Sequence, residues 1–364
     1  MSKPAIASAS AIDASLPAED SVSSLHGLRR WLLGGGGLIF SLLVTFFGLL
    51  LVTFVIGRLM PADPVLAAVG DRASLSTYNQ VRAEMGLDLP IWHQFLIYAW
   101  KVLHGDFGMS ILTAQPVLDD IRRVFPATAE LATVGIIIGI VFGIPLGVWS
   151  AVYRNSLLDH AMRVLGLIGY SVPIFWLGIM GLLVFYLKLE WVGGPGRLDV
   201  YLDGQDPTVT GMILVDALLA GDWEVFDNAF SHIILPATLL GYYSLAYICR
   251  MTRSLMLEQL NQEYLITARV KGLSERRVIW RHAFGNIMVP LITVVALAFA
   301  NILEGSVLTE TVFAWPGIGR YITTALLSAD MNAVLGGTIV VGMIYIGMNL
   351  LSDILYRIVD PRAR

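Results

Sequence analysis

Few side chains in this chain of 364 residues are spaced for catalysis. No Gly-Lys dipeptide occurs, so the sequence has no Gly-x-x-x-x-Gly-Lys-Ser/Thr loop to bind the phosphates of ATP. The six histidines include no His-Glu-x-x-His pair, and the single cysteine, Cys249, allows neither a zinc cluster of Cys and His nor an internal disulfide. We therefore expect no catalytic residue, no metal ligand and no cofactor in this chain.

A basic, polar segment between two apolar stretches is a better candidate for function. It covers residues 262–277 and combines small residues with Arg and Lys. Apolar residues recur at helical spacing from Leu257 to Ala268, and Gly272 stands where a helix could end. A helix lying on anionic lipid would explain the charge but not the small Ala268 and Gly272. We predict a cytoplasmic helix that binds a soluble partner.

Membrane-spanning helices must position this segment. Hydrophobic residues make up 56% of the chain and charged residues 14%, whereas soluble domains have roughly 25% charged residues. A bilayer core about 30 Å thick needs about 20 apolar residues of helix. The sequence predicts six spans, at residues 37–57, 127–151, 164–187, 232–249, 287–307 and 334–355. The predicted fold is an all-α polytopic membrane protein.

The distribution of basic residues predicts the orientation, because Lys and Arg near span ends are retained in the cytoplasm. With both termini in the cytoplasm, most basic residues lie inside and most acidic residues outside. Residues 1–30, rich in Ala and Ser, are predicted to be a disordered cytoplasmic tail, and residues 31–57 to hold the first transmembrane helix. The net charge of −4 gives no indication of nucleic-acid binding.

Three longer segments are predicted on the outer side. Residues 58–126 form an extracytoplasmic subdomain with helix-like patches. An acidic insertion at about residues 190–230 is rich in turns and has no regular metal-ligand spacing. Residues 313–319 are too apolar for a simple loop, which favours an interfacial or re-entrant element.

Two features inside the predicted spans have a structural and a functional interpretation. Glu304, in the fifth span, could line a transport path, because ionisable groups within membranes usually face a cavity or a partner. It could equally lie within a turn of the outer interface, where its carboxylate reaches water. Glycines recur at every fourth residue from Gly135 to Gly147, which predicts close helix packing.

The basic segment also carries a family resemblance. Residues 267–274 resemble the Glu-Ala-Ala-x-x-x-Gly loop of permease subunits in ATP-binding-cassette (ABC) importers, in the form of the dipeptide/oligopeptide/nickel family. Ile266 replaces the Glu of the general motif, and a proline of its ending comes later, at Pro290. Other segments resemble landmarks of that family in the same order, at residues 60–64, 86–90, 105–108, 126–132, 310–319 and 360–362.

The resemblance implies a type I ABC importer permease fold in a bacterial-type inner membrane. Residues 127–364 would be the permease core, with five spans and a coupling loop at about residues 250–286. Such a chain is a translocation subunit and not an enzyme, and it moves short peptides or a related small solute by alternating access. The implied partners are a second, similar permease in a heterodimer, two cytoplasmic ATPases that bind ATP and Mg²⁺, and an extracytoplasmic solute-binding protein.

The same resemblance implies roles for two groups of residues. Contact with an ATPase is expected from Glu263, Thr267, Ala268, Arg269, Lys271, Gly272, Leu273 and Ser274. A gate or a docking surface for the binding protein is expected from Glu310, Phe313, Trp315, Pro316, Gly317 and Gly319. Interfacial anchoring is the alternative for Phe313 and Trp315.

Two other classes of protein compete with the permease hypothesis. A secondary transporter or channel without an ATPase is expected to show inverted repeats with matching broken helices, and the sequence has no clear internal repeat. An intramembrane enzyme needs a catalytic constellation, which the sequence does not offer.

Overall fold

The computed structural model describes residues 40–58, 64–70, 73–84, 86–202, 204 and 209–359. The predicted tail at residues 1–30, the start of the predicted first span, nearly all of the landmark at residues 60–64 and the landmark at residues 360–362 lie outside these ranges. Contacts divide the chain after Gly48. The structure describes residues 40–48 of the first unit, which are the first half of helix α1.

The described residues form helices connected by loops and turns, the longest of them between Lys188 and Ile213. They are α1 (Phe40–Arg58), α2 (Pro64–Val69), α3 (Leu75–Glu84), α4 (Ile91–Leu103), α5 (Val117–Val152), α6 (Leu157–Ser171), α7 (Ile174–Gly181), α8 (Ile213–Ala220), α9 (Trp223–Leu260), α10 (Glu263–Val270), α11 (Glu275–Arg277), α12 (Phe284–Val312), α13 (Ile318–Leu327) and α14 (Met331–Val359). Two π-helical segments, Leu182–Lys188 and Val278–Ala283, extend α7 and join α11 to α12.

The prediction of an all-α polytopic membrane protein is confirmed. Five described helices, α1, α5, α9, the α11–α12 rod and α14, are long and apolar enough to cross a bilayer. A sixth span is present if α6 and α7 are counted together, although the two are bent by 97°. The bend lies at Val172 and Pro173, because a residue before proline disfavours the helical region and Val172 is extended (φ −93°, ψ 126°).

Side-chain caps and charges fix where the long helices begin. Helix α9 begins after Asp222, whose carboxylate accepts a hydrogen bond from the backbone N–H of Val225 (3.1 Å). Helix α5 carries Asp119 and Asp120 in its first turn, where the helix dipole favours negative charge. Both helices continue beyond the predicted spans, and α9 reaches Leu260 where the sequence predicted an end at Cys249.

Helices α5 and α9 form the tightest packed pair, and the glycine stripe of α5 explains why. The Cβ atom of any residue at Gly139 would lie 2.1 Å from the Ser244 hydroxyl oxygen, and at Gly147 it would lie 2.7 Å from the Cys249 carbonyl oxygen. Gly135 and Gly143 also face α9. The packing role predicted for this stripe is confirmed.

We expect Gly139→Ala to destabilise the chain by about 1–3 kcal/mol, the usual range for overpacking in a tightly packed interior. Ser244 cannot easily move away, because its hydroxyl is buried and hydrogen-bonded to the Gly241 carbonyl oxygen (2.9 Å). Thermal unfolding of the purified protein measures the effect. Gly166→Ala in α6 is the matched control, since no described atom lies within 4 Å of its new Cβ. Equal stability of the two variants would contradict the prediction.

The main core runs along α5, α9 and α12 and continues into α10. Its fully buried side chains include Leu131, Ile233, Ile248, Met256, Leu265 and Ile287. The core therefore extends past the predicted membrane boundary into the basic segment. Side chains of α10 therefore belong to the same apolar core as those of the three long helices.

Candidate functional site

The basic segment folds into a short helix held against the end of the core. In α10, Leu265 is fully buried and Ala268 is 8% exposed, and both belong to the apolar core that also contains Met256 of α9 and Val278 beyond α11. The opposite face of α10 is solvent-exposed and carries apolar side chains. Ile266 is 55% exposed and Val270 is 83% exposed.

Gly272 ends α10 in a left-handed conformation (φ +77°), as its position in the sequence predicted. The backbone N–H of Gly272 donates to the Arg269 carbonyl oxygen (2.9 Å), and that of Leu273 donates to the Ala268 carbonyl oxygen (3.2 Å). This pair of bonds is a Schellman motif, which satisfies the last carbonyls of the helix. The chain then turns at Ser274 into α11.

The predicted ATPase-contact residues lie together on this loop, mostly on its surface. Six of them are exposed: Glu263, Thr267, Arg269, Lys271, Gly272 and Ser274. The guanidinium of Arg269 pairs with the carboxylate of Glu275 (2.8 Å), which braces the turn. Leu273 is half-buried and Ala268 is buried. The small side chain of Ala268 thus permits close packing of α10 within this chain.

A buried ion pair between Asp159 and Arg253 was not predicted from the sequence. The carboxylate of Asp159 in α6 is fully buried and accepts hydrogen bonds from Arg253 of α9 (2.6 and 3.0 Å). It also accepts from the Ser150 hydroxyl (2.6 Å) and the Asn155 backbone N–H (3.0 Å). This arrangement ties α5, α6 and α9 together. Its partners are far apart in the sequence, so spacing gave no signal for it.

The predicted gate residues form a second group, centred on the carboxylate of Glu310 at the end of α12. Glu310 is fully buried and accepts hydrogen bonds from the Thr128 hydroxyl (2.7 Å), the Ser306 hydroxyl (2.9 Å) and the Arg320 backbone N–H (3.0 Å). Thr128 belongs to the landmark at residues 126–132, so two separate landmarks meet at this carboxylate.

The glycines of this group make room for Glu310. A Cβ atom at Gly317 would lie 2.4 Å from the Thr128 hydroxyl oxygen and 2.5 Å from the Glu310 carboxyl carbon. At Gly319 it would lie 2.6 Å from the Val307 Cα. Both glycines are therefore required by close approach.

The aromatic residues of the same group are buried. Phe313 is 2% exposed, and Trp315 is 1% exposed and donates its indole N–H to the Ala127 carbonyl oxygen (2.8 Å). Pro316 is exposed beside them. In this conformation the two aromatic rings belong to the protein interior.

Glu130 and Arg197 join the acidic insertion to the same group. Both side chains are largely buried and form an ion pair, and the Arg197 guanidinium lies 5.6 Å from the centre of the Trp315 ring. Glu130 also accepts a hydrogen bond from the Leu214 backbone N–H (2.7 Å). Glu130 lies within the second predicted span, and an ionisable residue there is the signal that the sequence analysis did not use.

The insertion has its own internal anchor at Asp216. Its buried carboxylate accepts hydrogen bonds from the Thr210 hydroxyl (2.7 Å) and from the Thr210 and Gly211 backbone N–H groups (2.8 and 2.9 Å). Burial alone would raise the pKa of Asp216, but these bonds lower it below the usual value. The described part of the insertion thus packs on the group around Glu310 through Arg197 and Leu214.

Glu304 lies on an open face of α12 and lines a small pocket there together with Thr128, Ile318 and Tyr345. Its side chain is exposed, and it forms no ion pair or hydrogen bond with another described residue. Within the described ranges, no group of three His, Cys, Asp or Glu side chains is placed to hold a metal ion.

Comparisons with known proteins agree with this architecture. Residues 143–364 match the family described as "Binding-protein-dependent transport system inner membrane component". Residues 37–132 match the N-terminal part described for such membrane components.

Curated bacterial relatives are similar along nearly their whole length. The probable D,D-dipeptide transport system permease protein DdpB of Escherichia coli K12 is 45% identical over 86% of this chain and 92% of its own. The dipeptide transport system permease protein DppB of the same strain is 44% identical over 88% and 95%. The di/tripeptide transport system permease protein DppB of Pseudomonas aeruginosa is 41% identical over 89% and 96%.

Among solved structures, the methionine ABC transporter MetNI in an inward-facing conformation is 16% identical over 64% of this chain and 93% of that chain, with a TM-score of 0.47. The family match and the curated relatives favour an importer permease over a secondary transporter, a channel or an intramembrane enzyme. The chain belongs to the binding-protein-dependent transport system inner membrane component family, and it is a multi-pass permease subunit of an ABC importer in the inner membrane.

Proposed function

We propose that this permease imports short peptides by ATP-driven alternating access. The observation that carries the proposal is identity of 41–45% to three permeases named for dipeptide or di/tripeptide transport, over 86–89% of this chain. Competition of unlabelled peptides against a labelled dipeptide, in cells that depend on this permease, tests the substrate class. Competition by nickel chelates or by glutathione, with none by peptides, would overturn it.

One of the two cytoplasmic ATPases, which bind the ATP and Mg²⁺, is proposed to contact the exposed face of α10. That face combines apolar Ile266 and Val270 with Arg269 and Lys271, and such a mixture suits a protein groove better than bulk water. The buried face carries Leu265 and Ala268 into the core. A displacement of α10 by a closing ATPase would thus be passed to α9 and α12. In this proposal the coupling loop and both termini lie in the cytoplasm.

The group around Glu310 is proposed to act as the outer gate. The burial of Phe313 and Trp315 supports a closed gate rather than a docking surface. The solute-binding protein would deliver its peptide to the outer surface formed by residues 58–126 and the acidic insertion. Opening would then require the hydrogen bond between Glu310 and Thr128 to break, because it joins the last turn of α12 to α5.

A second, similar permease is proposed to cover the open face of α12. Glu304 supports this placement, since an unpaired carboxylate facing lipid would be costly. A partner permease, or a water-filled path between the two, would solvate or pair the charge. The complex would then be a heterodimer of permeases in the type I arrangement, with Glu304 along the path.

We expect Glu304→Gln to change the rate of peptide uptake several-fold, because the variant removes a negative charge from the proposed path. Uptake into proteoliposomes measures the effect. Glu224→Gln, at an exposed position in the first turn of α9, is the matched control. Uptake by Glu304→Gln that equals wild type would remove Glu304 from the path.

A further inference from the structure

Helix α4 (Ile91–Leu103) carries a row of exposed apolar side chains along one face. The row, called the apolar stripe below, consists of Trp92, Leu96, Trp100 and Leu103, each of which is more than half exposed. Intervals of four, four and three residues place these side chains above one another on a helix. A contiguous apolar surface of this kind marks a contact with lipid or with another protein.

A second face of α4 is packed against helix α1. The Tyr98 hydroxyl donates a hydrogen bond to the Thr53 hydroxyl oxygen (2.9 Å). The centres of the Phe95 and Tyr98 rings lie 5.4 and 5.7 Å from the centre of the Phe54 ring. Thr53 and Phe54 are buried, and so is Val102 of α4. The contact with α1 therefore fixes how α4 is rotated, and it leaves the apolar stripe uncovered.

The third face of α4 is polar. It carries His93, Gln94 and Lys101, and His104 continues it just beyond the end of the helix. His93, Lys101 and His104 are exposed, and α4 contains no acidic residue. A helix with one strongly apolar face and one polar, basic face is typical of the boundary between lipid and water.

The position of α4 along α1 places it at the edge of the bilayer. Helix α1 is a candidate span that ends at Arg58, and the α4 contacts Thr53 and Phe54 precede this residue by only roughly 6–8 Å at 1.5 Å per residue. The Arg58 guanidinium lies 5.3 Å from the centre of the Phe54 ring. Interfacial helices bury their apolar face about 5–10 Å into the boundary between headgroups and acyl chains. Helix α4 therefore meets α1 at the depth of an interfacial helix.

Length and composition favour lipid as the occupant of the stripe. With 13 residues, α4 is too short to cross a bilayer core that needs about 20. Trp92 and Trp100 belong to the residue type that is enriched at membrane–water boundaries, because the indole ring is apolar and its N–H is polar. At the level of the contact with α4, α1 also exposes apolar side chains, Val52, Val55 and Ile56. The stripe thus continues the apolar surface of a membrane span.

We propose that α4 is a lipid anchor that lies in the membrane interface, with the apolar stripe among the upper acyl chains and Lys101 at the headgroups. In the orientation proposed above, this is the outer leaflet. The anchor would hold the loop that follows α4 at a fixed height. In that loop, the Ser110 hydroxyl and the Ile111 backbone N–H donate to the buried Asp330 carboxylate (2.6 and 2.7 Å), which precedes α14. The proposal depends on the membrane location of the chain and not on its substrate.

Fluorescence quenching at single cysteines tests the proposal. A thiol-reactive NBD label is attached to Leu96→Cys in the stripe and, as the matched control, to Lys101→Cys on the polar face of the same helix. The native Cys249 is buried, and labelling of the wild type checks that it does not react. The complete importer is placed in vesicles of phosphatidylethanolamine and phosphatidylglycerol. The quenchers are a lipid with a nitroxide near the top of its acyl chain and iodide in the water.

We expect the label at residue 96 to lose most of its fluorescence to the nitroxide lipid and little to iodide, and the label at residue 101 to show the reverse. If Leu96→Cys disturbs folding, Leu103→Cys in the same stripe replaces it. Iodide quenching in the stripe that equals quenching at residue 101 would place the stripe in water and overturn the proposal. Quenching by neither agent would assign the stripe to a protein subunit and overturn it as well.

Discussion

Replacing Glu310 by leucine should destabilise the permease by about 3 kcal/mol or more and abolish uptake. The change leaves three donors without their acceptor inside the protein: the hydroxyls of Thr128 and Ser306 and the backbone N–H of Arg320. Each buried donor left unsatisfied costs about 1–3 kcal/mol. Glu310→Gln keeps one acceptor oxygen and should lose less.

Thermal unfolding of the purified complex and peptide uptake measure both effects of Glu310→Leu. Glu224→Leu is the control for a carboxylate lost from an exposed position of a long helix. A Glu310→Leu variant that unfolds at the same temperature as the wild type and transports normally would show that the group around Glu310 does not stabilise the permease.

The second large effect is expected at the exposed tip of α10. Val270→Glu should lower ATP-driven uptake at least tenfold while leaving the chain folded, because this side chain is 83% exposed and outside the core. In the assembled importer the new carboxylate would be buried against an ATPase, and an unpaired buried charge costs more than the ~1.4 kcal/mol that corresponds to tenfold. Stimulation of ATP hydrolysis by the loaded binding protein should be lost together with uptake.

Val200→Glu is the control for Val270→Glu. Val200 is 91% exposed in the acidic insertion, on the side that we place outside the cell. If the Val270→Glu permease couples ATP hydrolysis to uptake as well as the Val200→Glu permease does, then no ATPase binds this face of α10.

The sequence predicted those features that depend on local periodicity. Spans of about 20 apolar residues, the glycine stripe of α5 and the helix end at Gly272 each have a signal within a few residues. The same signals misjudged the length of α9, because hydropathy falls at Arg250 whereas the helix continues to Leu260. The protein interior packs against α9 on both sides of that charge, so the helix does not end where the apolar run ends.

The features that escaped prediction depend on pairs distant in sequence. Glu130 and Arg197 are separated by 67 residues, and Asp159 and Arg253 by 94. Only folding brings such partners together, although Glu130 stands out in the sequence as an ionisable residue within a predicted span. The burial of Ala268 belongs to the same class, since α10 packs on the Val278–Ala283 segment that follows α11.

Reconstitution of the complete importer tests the central claim most directly. Proteoliposomes would contain this permease, its proposed partner permease and the two ATPases, with the loaded binding protein on the outer side. The account predicts peptide uptake that requires ATP and disappears when either the ATPases or the binding protein is omitted. Peptide uptake by this chain alone, driven by an ion gradient without an ATPase, would contradict it.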